Sequence, residues 1–335
     1  MTSLIANHPI THAIGMHTAN EIYTASLSHS TLNLGDEIQT LAADRFVDHV
    51  DARFDRDHLR YIVSDQKYIL ILNGWFSHSV KTCFPPAGCF EPVIISFHID
   101  KRSRDYFLTP ECITYFKRHE PIGCRDVQTM QWLKKEGVNA YFSKCLTLTL
   151  PTRKHDPVHP EVIIVDLPSR IIRMIPRRLR LNAVFRTHTP SPDDQDKMQS
   201  AKDLLEYYQE HACLVITGRL HCALPCLAMG IPVVLFGDPH DYRLSVAQSC
   251  GIRIHRIFLL ARSLKVTGGP IRGRIRKLVF FIDTILLTLW YKWIHASIWA
   301  PGIVDLRKEK ETLLNTLTRE YSNALRRYMD EKRNA

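Results

Sequence analysis

The chain has 335 residues, 45% of them hydrophobic, and a formal net charge of +10. That length can carry two full cores, and that composition excludes a disordered or fibrous chain. The positive balance suits an anionic substrate, a nucleic acid or an anionic lipid surface, and does not choose among them. Nine cysteines, none in CxxC spacing, argue against a disulfide framework. MTSLIANHPITHAIG lacks a basic-then-apolar leader, so reduced thiols in the cytoplasm are expected.

Residues 13–23 hold a candidate first strand. In LNLGDE, Asn33 and Gly35 suit a tight turn. Asp36 is placed as an N-cap with Gln39 reaching back to it, before Ile38, Leu41, Ala42 and Phe46 on one helical face. Residues 68–72 are a continuous apolar run, as in a strand buried on both faces, ending at Asn73, Gly74 and Trp75. Residues 93–97 are another, ending at His98 and Asp100. As isolated residues, such polar groups past a strand are more often surface or hydrogen-bonded structure than catalysts. After a short strand at 121–124, Arg125 precedes Asp126, which caps a helix over 127–136 that Gly137 ends. Leu146, Leu148 and Leu150 alternate with Thr147 and Thr149, the period of a half-buried strand opened by Cys145.

Residues 151–160 are polar and proline-bearing, as in a domain linker. Residues 162–165 start a buried strand that ends at Asp166. RIIRMIPRRLRL, around residues 170–180, mixes cations with apolar residues; a solvated helix face and an anionic-partner patch fit it equally. A short strand at 183–185 precedes His188, and Met198, Ala201, Leu204, Leu205 and Tyr208 give the next helix its buried face.

The stretch CLVITGRLHCALPCLAMGIPVVLF, residues 213–236, organises the rest. Val215, Ile216 and Thr217 close a strand, and Gly218 breaks it. Leu220, Leu224, Leu227 and Ala228 recur at helical spacing, Gly230 and Pro232 stop the helix, and 233–236 is a second buried strand. This is the grammar of a parallel α/β sheet, where ligands collect beyond the carboxyl ends of the strands. Arg219, His221 and the helix start at Gly218 and Leu220 would there surround one point suited to a phosphate or carboxylate. On spacing alone, a solvated cap is the favoured reading of Arg-Leu-His. Cys222 and Cys226 read as apolar packing, and no metal site is expected.

In the tail, IRGRIRK at 271–277 leads into LVFFIDTILLTLWYKWIHASIW, too interrupted by Asp283 and Lys292 to span a bilayer. As a helix it has a narrow polar stripe, Thr284, Thr288, Lys292 and His295, beside Trp290, Trp293 and Trp299. It packs on the body or a second subunit, or it lies in a membrane interface behind its basic leader. Residues 308–333 form a charged helix solvated on one face.

Three segments resemble the polysaccharide pyruvyltransferase family: NLGDEIQTLAADRF, GCRDVQTMQWLKKEGVNAYFSKCLTLTL and TGRLHCALPCLAMGIPVV. The similarity runs from about Asn33 to about Ile257. It implies two Rossmann-like α/β domains facing a cleft, as in GT-B glycosyltransferases, with an acceptor-side domain at 1–153, a donor-side domain at 154–262 and a helical tail at 263–335. It implies transfer of pyruvyl from phosphoenolpyruvate to a sugar of a polysaccharide or lipid-linked glycan, with no cofactor, metal or nucleic acid. Arg219 and His221 then take the catalytic roles. Arg125, Gly218 and Leu220 join the anion clamp, and Asn33, Gly35, Asp36, Asn73, Gly74 and His98 line the acceptor side. A subset of the family carries Gly where Lys144 stands, so either a tight turn has changed or an extra cation faces the site. A nucleotide-sugar glycosyltransferase of the same architecture, or a glycan-binding relative without activity, fits the same residues.

Overall fold

The computed structural model describes residues 22–256, 270–291 and 296–334. The strands are β1 (Thr24–Ser28), β2 (Ala52–Asp55), β3 (Tyr68–Trp75), β4 (Phe90–His98), β5 (Ile122–Cys124), β6 (Ala140–Phe142), β7 (Glu161–Val165), β8 (Val184–Arg186), β9 (Ala212–Thr217), β10 (Val233–Gly237) and β11 (Ile254–Arg256). The helices used below are α1 (Leu34–Asp44), α2 (Pro110–Arg118), α3 (Val127–Lys135), α4 (Ser169–Met174), α5 (Lys197–His211), α6 (Leu220–Ala228), α7 (Pro270–Leu289) and α8 (Arg307–Asn334). The first strand thus follows the candidate at 13–23, whose residues up to 21 lie outside the described ones.

The strands form two parallel sheets, a six-stranded one in the order β2-β1-β3-β4-β5-β6 and a five-stranded one in the order β11-β10-β9-β7-β8. The chain is therefore α/β. Both sheets wind alike: the first two strands go one way, and the third returns to the far side of the first. That reversal is a topological switch point, between β1 and β3 in one sheet and between β7 and β9 in the other. The chain divides into two compact units, residues 1–152 with 189–206 and 305–335, and residues 153–188 with 207–304.

In the first unit the continuous apolar runs of β3 and β4 are buried on both faces, as parallel strands require. Phe76, Phe84, Phe97, Phe107 and Phe116 pack beside them with no exposed surface, their neighbouring rings 4.9–5.7 Å apart. α8 lays Leu313, Leu317, Tyr321, Ala324 and Tyr328 on this unit, and Arg327 donates to Glu91. In the second unit Ile164, Ile216, Val234 and Phe236 from three adjacent strands make the core with Met174 of α4.

Two sequence expectations are corrected. Residues 146–149 form a buried 3-10 turn, not a half-buried strand. The Thr149 hydroxyl donates to Leu146 O at 2.7 Å and that of Thr147 lies 3.2 Å from Cys145 Sγ, so the polar members of the alternation are satisfied locally and the whole segment is buried. The edge position beside β5 belongs to β6. At α1 the N-cap is Asn33, whose side chain accepts from Gly35 N at 3.2 Å; Asp36 falls inside the first turn.

The tail also divides in an unexpected way. Leu287, Tyr291, Ile298 and Trp299 join the core of the second unit, so Trp299 is a packing residue at 4% exposure, not an interface anchor. Lys292, Trp293 and His295 lie outside the described residues.

Candidate active site

At the switch point of the second sheet, Val165 and Thr217 are register partners, so the ends of β7 and β9 lie side by side. The next residues are Asp166, and Gly218 with Arg219. Thr217 ties the two ends together: its hydroxyl donates to Val165 O at 3.2 Å and accepts from Arg219 N at 2.9 Å. The Arg219 side chain turns back to Asp166, Nε to Oδ2 at 3.0 Å. Asp166 also accepts from the backbone N–H of His188, just past β8, at 2.9 Å. Burial pushes the Asp166 carboxyl up, but the His188 N–H, the Thr187 hydroxyl and Arg219 outweigh it and hold it below the ordinary carboxylate range. Asp166 adopts a left-handed backbone, φ 48°, a conformation that costs a non-glycine residue energy and that aspartate tolerates better than most.

Arg219 is the N-cap of α6, and its side chain is 40% exposed. Gly218 is exposed, and Leu220 and His221 are half-buried in the first turn. The guanidinium of Arg219 and a helix N-terminus with its positive dipole end thus lie at the end of the central strand, with His221 in the first turn of the same helix. Beneath them the α6 helix is apolar: Cys222, Ala223, Leu224 and Cys226 have no exposed surface. His188 is buried as well, with Nε2 3.1 Å from the Tyr208 hydroxyl. Asp166 and His188 were not singled out as site residues from sequence. Their signal was present: Asp166, like His98, directly follows an apolar strand run, and what hid it was that its partner is 53 residues away.

The first sheet's switch point holds a different assembly. Arg56 is 1% exposed and pairs with two carboxylates, Asp36 at 3.2 Å and Asp57 at 3.1 Å. Asp36 also accepts from the Thr31 hydroxyl at 2.7 Å, and Asp57 from Ser30 at 2.8 Å, with His78 Nδ1 also 2.8 Å away. His29, directly after β1, places Nε2 2.8 Å from Thr40 Oγ1; burial and the nearby Arg56 push its pKa down to about 3. Lys197 Nζ donates to the carbonyls of His29 and Thr31. Burial pushes Glu37 up to about 7, against the pull of Lys197.

Gln39 joins this cluster to the strand ends. Its Nε2 donates to Gly35 O at 3.1 Å, its Oε1 accepts from Arg125 Nη1 at 3.1 Å, and its carbonyl accepts from Asn73 Nδ2 at 2.8 Å. Gly74 sits against it at φ +104°, where a Cβ would come 3.0 Å from Gln39 Oε1, so both backbone and space call for glycine. Farther along, buried His98 places Nδ1 2.6 Å from Asp126 Oδ2. Burial, then Arg125, push His98 down to about 4, so the neutral ring donates from Nδ1 to an ionised Asp126. Asp126 keeps its capping role as well, accepting from Thr129 N at 2.8 Å.

The acceptor-side expectation put Asp36, Asn73 and His98 where they would line a substrate. They are instead 2%, 3% and 1% exposed and bonded within the unit; Arg125 is 3% exposed. Gly35 and Gly74 are buried too, and Asn33 is half-buried. A carboxylate in the first turn of a buried helix, and an amide and an imidazole near the ends of buried strands, must find partners inside the fold, because burial leaves them no solvent. Arg56 and Asp57, which hold this network, were missed; within RFDRDHLRY nothing distinguishes a buried pair from a solvated one. Lys144, by contrast, has a simple account. It takes the left-handed φ of 64° that a glycine would take, and its Nζ lies 3.6 Å from Glu309. Among the described residues no group of three or more His, Cys, Asp or Glu could hold a metal ion.

The model of the family described as "Polysaccharide pyruvyl transferase" matches residues 33–240, spanning both switch points. The chain belongs to that family. No curated protein matches this pyruvyl transferase family member. Among solved structures, a functionally uncharacterised protein, KP1_0663 from Klebsiella pneumoniae subsp. pneumoniae NTUH-K2044, is similar at 17% identity and a TM-score of 0.47, over 71% of this chain and 93% of that one.

Proposed function

We propose that this pyruvyl transferase takes its pyruvyl group from phosphoenolpyruvate and forms a ketal on two hydroxyls of a glycan, releasing phosphate. The observation that carries the reading is the half-exposed Arg219, oriented by Asp166 at the N-terminus of α6 and at the sheet's switch point. A guanidinium and a helix N-terminus bind the phosphate and carboxylate of the donor, and stabilise the charge that builds on the leaving phosphate.

The chemistry balances as follows. A proton adds to the methylene carbon of phosphoenolpyruvate, and one sugar hydroxyl adds at the adjacent carbon. The second hydroxyl then displaces phosphate there. One hydroxyl proton ends on the new methyl group and the other on phosphate. His221, in the first turn of α6 beside Arg219 in sequence, is the proposed acid and base, since imidazole titrates near neutrality. Gly218 and Leu220 supply the helix-start amides. In the first unit, acceptor contact is proposed for half-buried Asn33 and for Trp75, whose ring has the Arg56 guanidinium 5.6 Å from its centroid. Asp36, Asn73, Gly74 and His98, buried and bonded within that unit, support these residues, and Arg125 does the same through Gln39. The glycan acceptor belongs to an exopolysaccharide or cell-envelope pathway.

The test is phosphate release from phosphoenolpyruvate across candidate glycans, with the ketal identified by mass and by its methyl resonance. Release that needs both substrates, and a pyruvylated product, is the expected result. Turnover with nucleotide sugars in place of phosphoenolpyruvate would assign a glycosyltransferase instead.

A further inference from the structure

α7 is turned inside out. Its Asp283 and Leu287, with the following Tyr291, face the core of the second unit at 0%, 0% and 2% exposure. Leu278, Phe281, Ile282, Ile285, Leu286 and Leu289 stand 40–64% exposed. Their spacing of three and one residues puts them on one face of the helix. Thr284 and Thr288 cannot relieve that face, because both hydroxyls are bonded to the helix itself, to Phe280 O at 2.8 Å and Thr284 O at 2.7 Å. The orientation is set from below: Arg170 of α4 lies 5.5 Å from the centre of the Phe280 ring and is drawn to Asp283. An exposed apolar row of this size is uncommon on a surface that meets only water.

The charge around it names the occupant. Lys277 at the head of the row is exposed, as are Arg173 of α4 and Arg177 and Arg178 in the turn after it. Arg272, Arg274 and Arg276 precede Lys277 in the sequence of α7. Residues 167–192 contain no Asp or Glu, and residues 257–304 contain Asp283 alone, which is buried. A second copy of this surface would therefore bring no acid to these cations. A nucleic acid would answer the cations but leave the apolar row in water. A membrane with anionic headgroups answers both. Among the described residues no helix is long and apolar enough to cross one.

We propose that α7 lies in the plane of an anionic membrane, its apolar row at the boundary of headgroups and acyl chains and its flanking cations on the headgroups. The inference is independent of the proposed chemistry, because its readout is binding. Full-length protein is floated with vesicles of phosphatidylcholine alone or with phosphatidylglycerol added. Binding is expected on the phosphatidylglycerol vesicles at low salt, with at least a tenfold loss on neutral vesicles or at high salt. Arg177→Glu with Arg178→Glu should weaken it about 30-fold or more, at about 1 kcal/mol per cation. Phe281→Ser with Ile285→Ser should abolish it while circular dichroism and the melting temperature stay as in the parent, since both side chains are exposed. The proposal is overturned if the folded parent stays unbound at low salt, or if the Phe281→Ser, Ile285→Ser variant binds as well as the parent. It is equally overturned if light scattering shows a dimer that this variant dissolves, which would give the face to a second copy.

Discussion

The two sheets wind in the same order, and their switch points are built to opposite ends. In the first, Arg56 is sealed between Asp36 and Asp57 at 1% exposure, and His29, Gln39 and Asn73 are bonded around it. In the second, Asp166 accepts from Nε of Arg219, whose side chain is 40% exposed. A buried charge between two counter-ions has its field quenched before it reaches a ligand, whereas a charge that stays partly solvated is screened by its neighbours less completely and still presents a cation. The same topology thus yields a sealed ion cluster in one unit and a half-exposed arginine, the proposed anion site, in the other.

The comparison breaks most decisively at His221. His221→Ala is expected to lower turnover ~10²–10⁴-fold while leaving the KM for phosphoenolpyruvate near that of the parent. A variant with parent turnover would remove the acid-base role from this residue. In the first unit the large effect should fall on stability instead. Asp57→Ala leaves Arg56 with half its compensation and should cost about 3–5 kcal/mol in urea unfolding, with Arg56→Met on top of it restoring part of the loss. If Asp57→Ala unfolds like the parent, the cluster is not the support described.

Next in size is the clamp. Arg219→Ala should raise the KM for phosphoenolpyruvate about 10–100-fold, the worth of a charge-assisted hydrogen bond or two, with a smaller change for Asp166→Asn. Arg125→Gln sharpens the contrast: a lower melting temperature with unchanged KM for phosphoenolpyruvate is expected of a residue bonded within the first unit, and a raised KM at unchanged melting temperature would contradict that supporting role.

The smallest effect is one of pH. His29 and His98 have folded pKa values of about 3 and about 4, below the ordinary 6.5, so the stability they contribute is present above pH 6.5 and is lost as pH falls toward 4. Glu37, raised from 4.5 to about 7, works in the opposite sense: its contribution is present below pH 4.5 and lost as pH rises through 7. Each is worth at most about 2 kcal/mol between pH 7 and pH 5. Net stability should therefore fall on going from pH 7 to pH 5, and fall more steeply in Glu37→Gln, where the opposing carboxyl is gone. Parallel pH curves for parent and variant would contradict the burial of Glu37.

Particular residues show how far the sequence could be read. The apolar runs of β3, β4, β7, β9 and β10 were legible because a parallel strand buried on both faces has to be continuous. The α6 segment was legible because glycine, proline and helical spacing punctuate it. Residues 146–150 misled because alternating leucine and threonine describes both a half-buried strand and a buried turn whose hydroxyls bond their own backbone. Asp36 looked like a cap because its neighbours allow it, while Asn33, three residues earlier, does the capping.

By itself the sequence determined the α/β class, the family and the position of Arg219 and His221 at the start of a helix after a strand, since these depend on period, punctuation and local order. Only the tertiary structure decided which charges are quenched. Asp166 lies 53 residues from Arg219, and Arg125 lies 86 from Gln39. It also decided that α7 turns its acid inward and its leucines outward. Local pattern specifies what a segment is, and burial depends on what the rest of the chain brings to it.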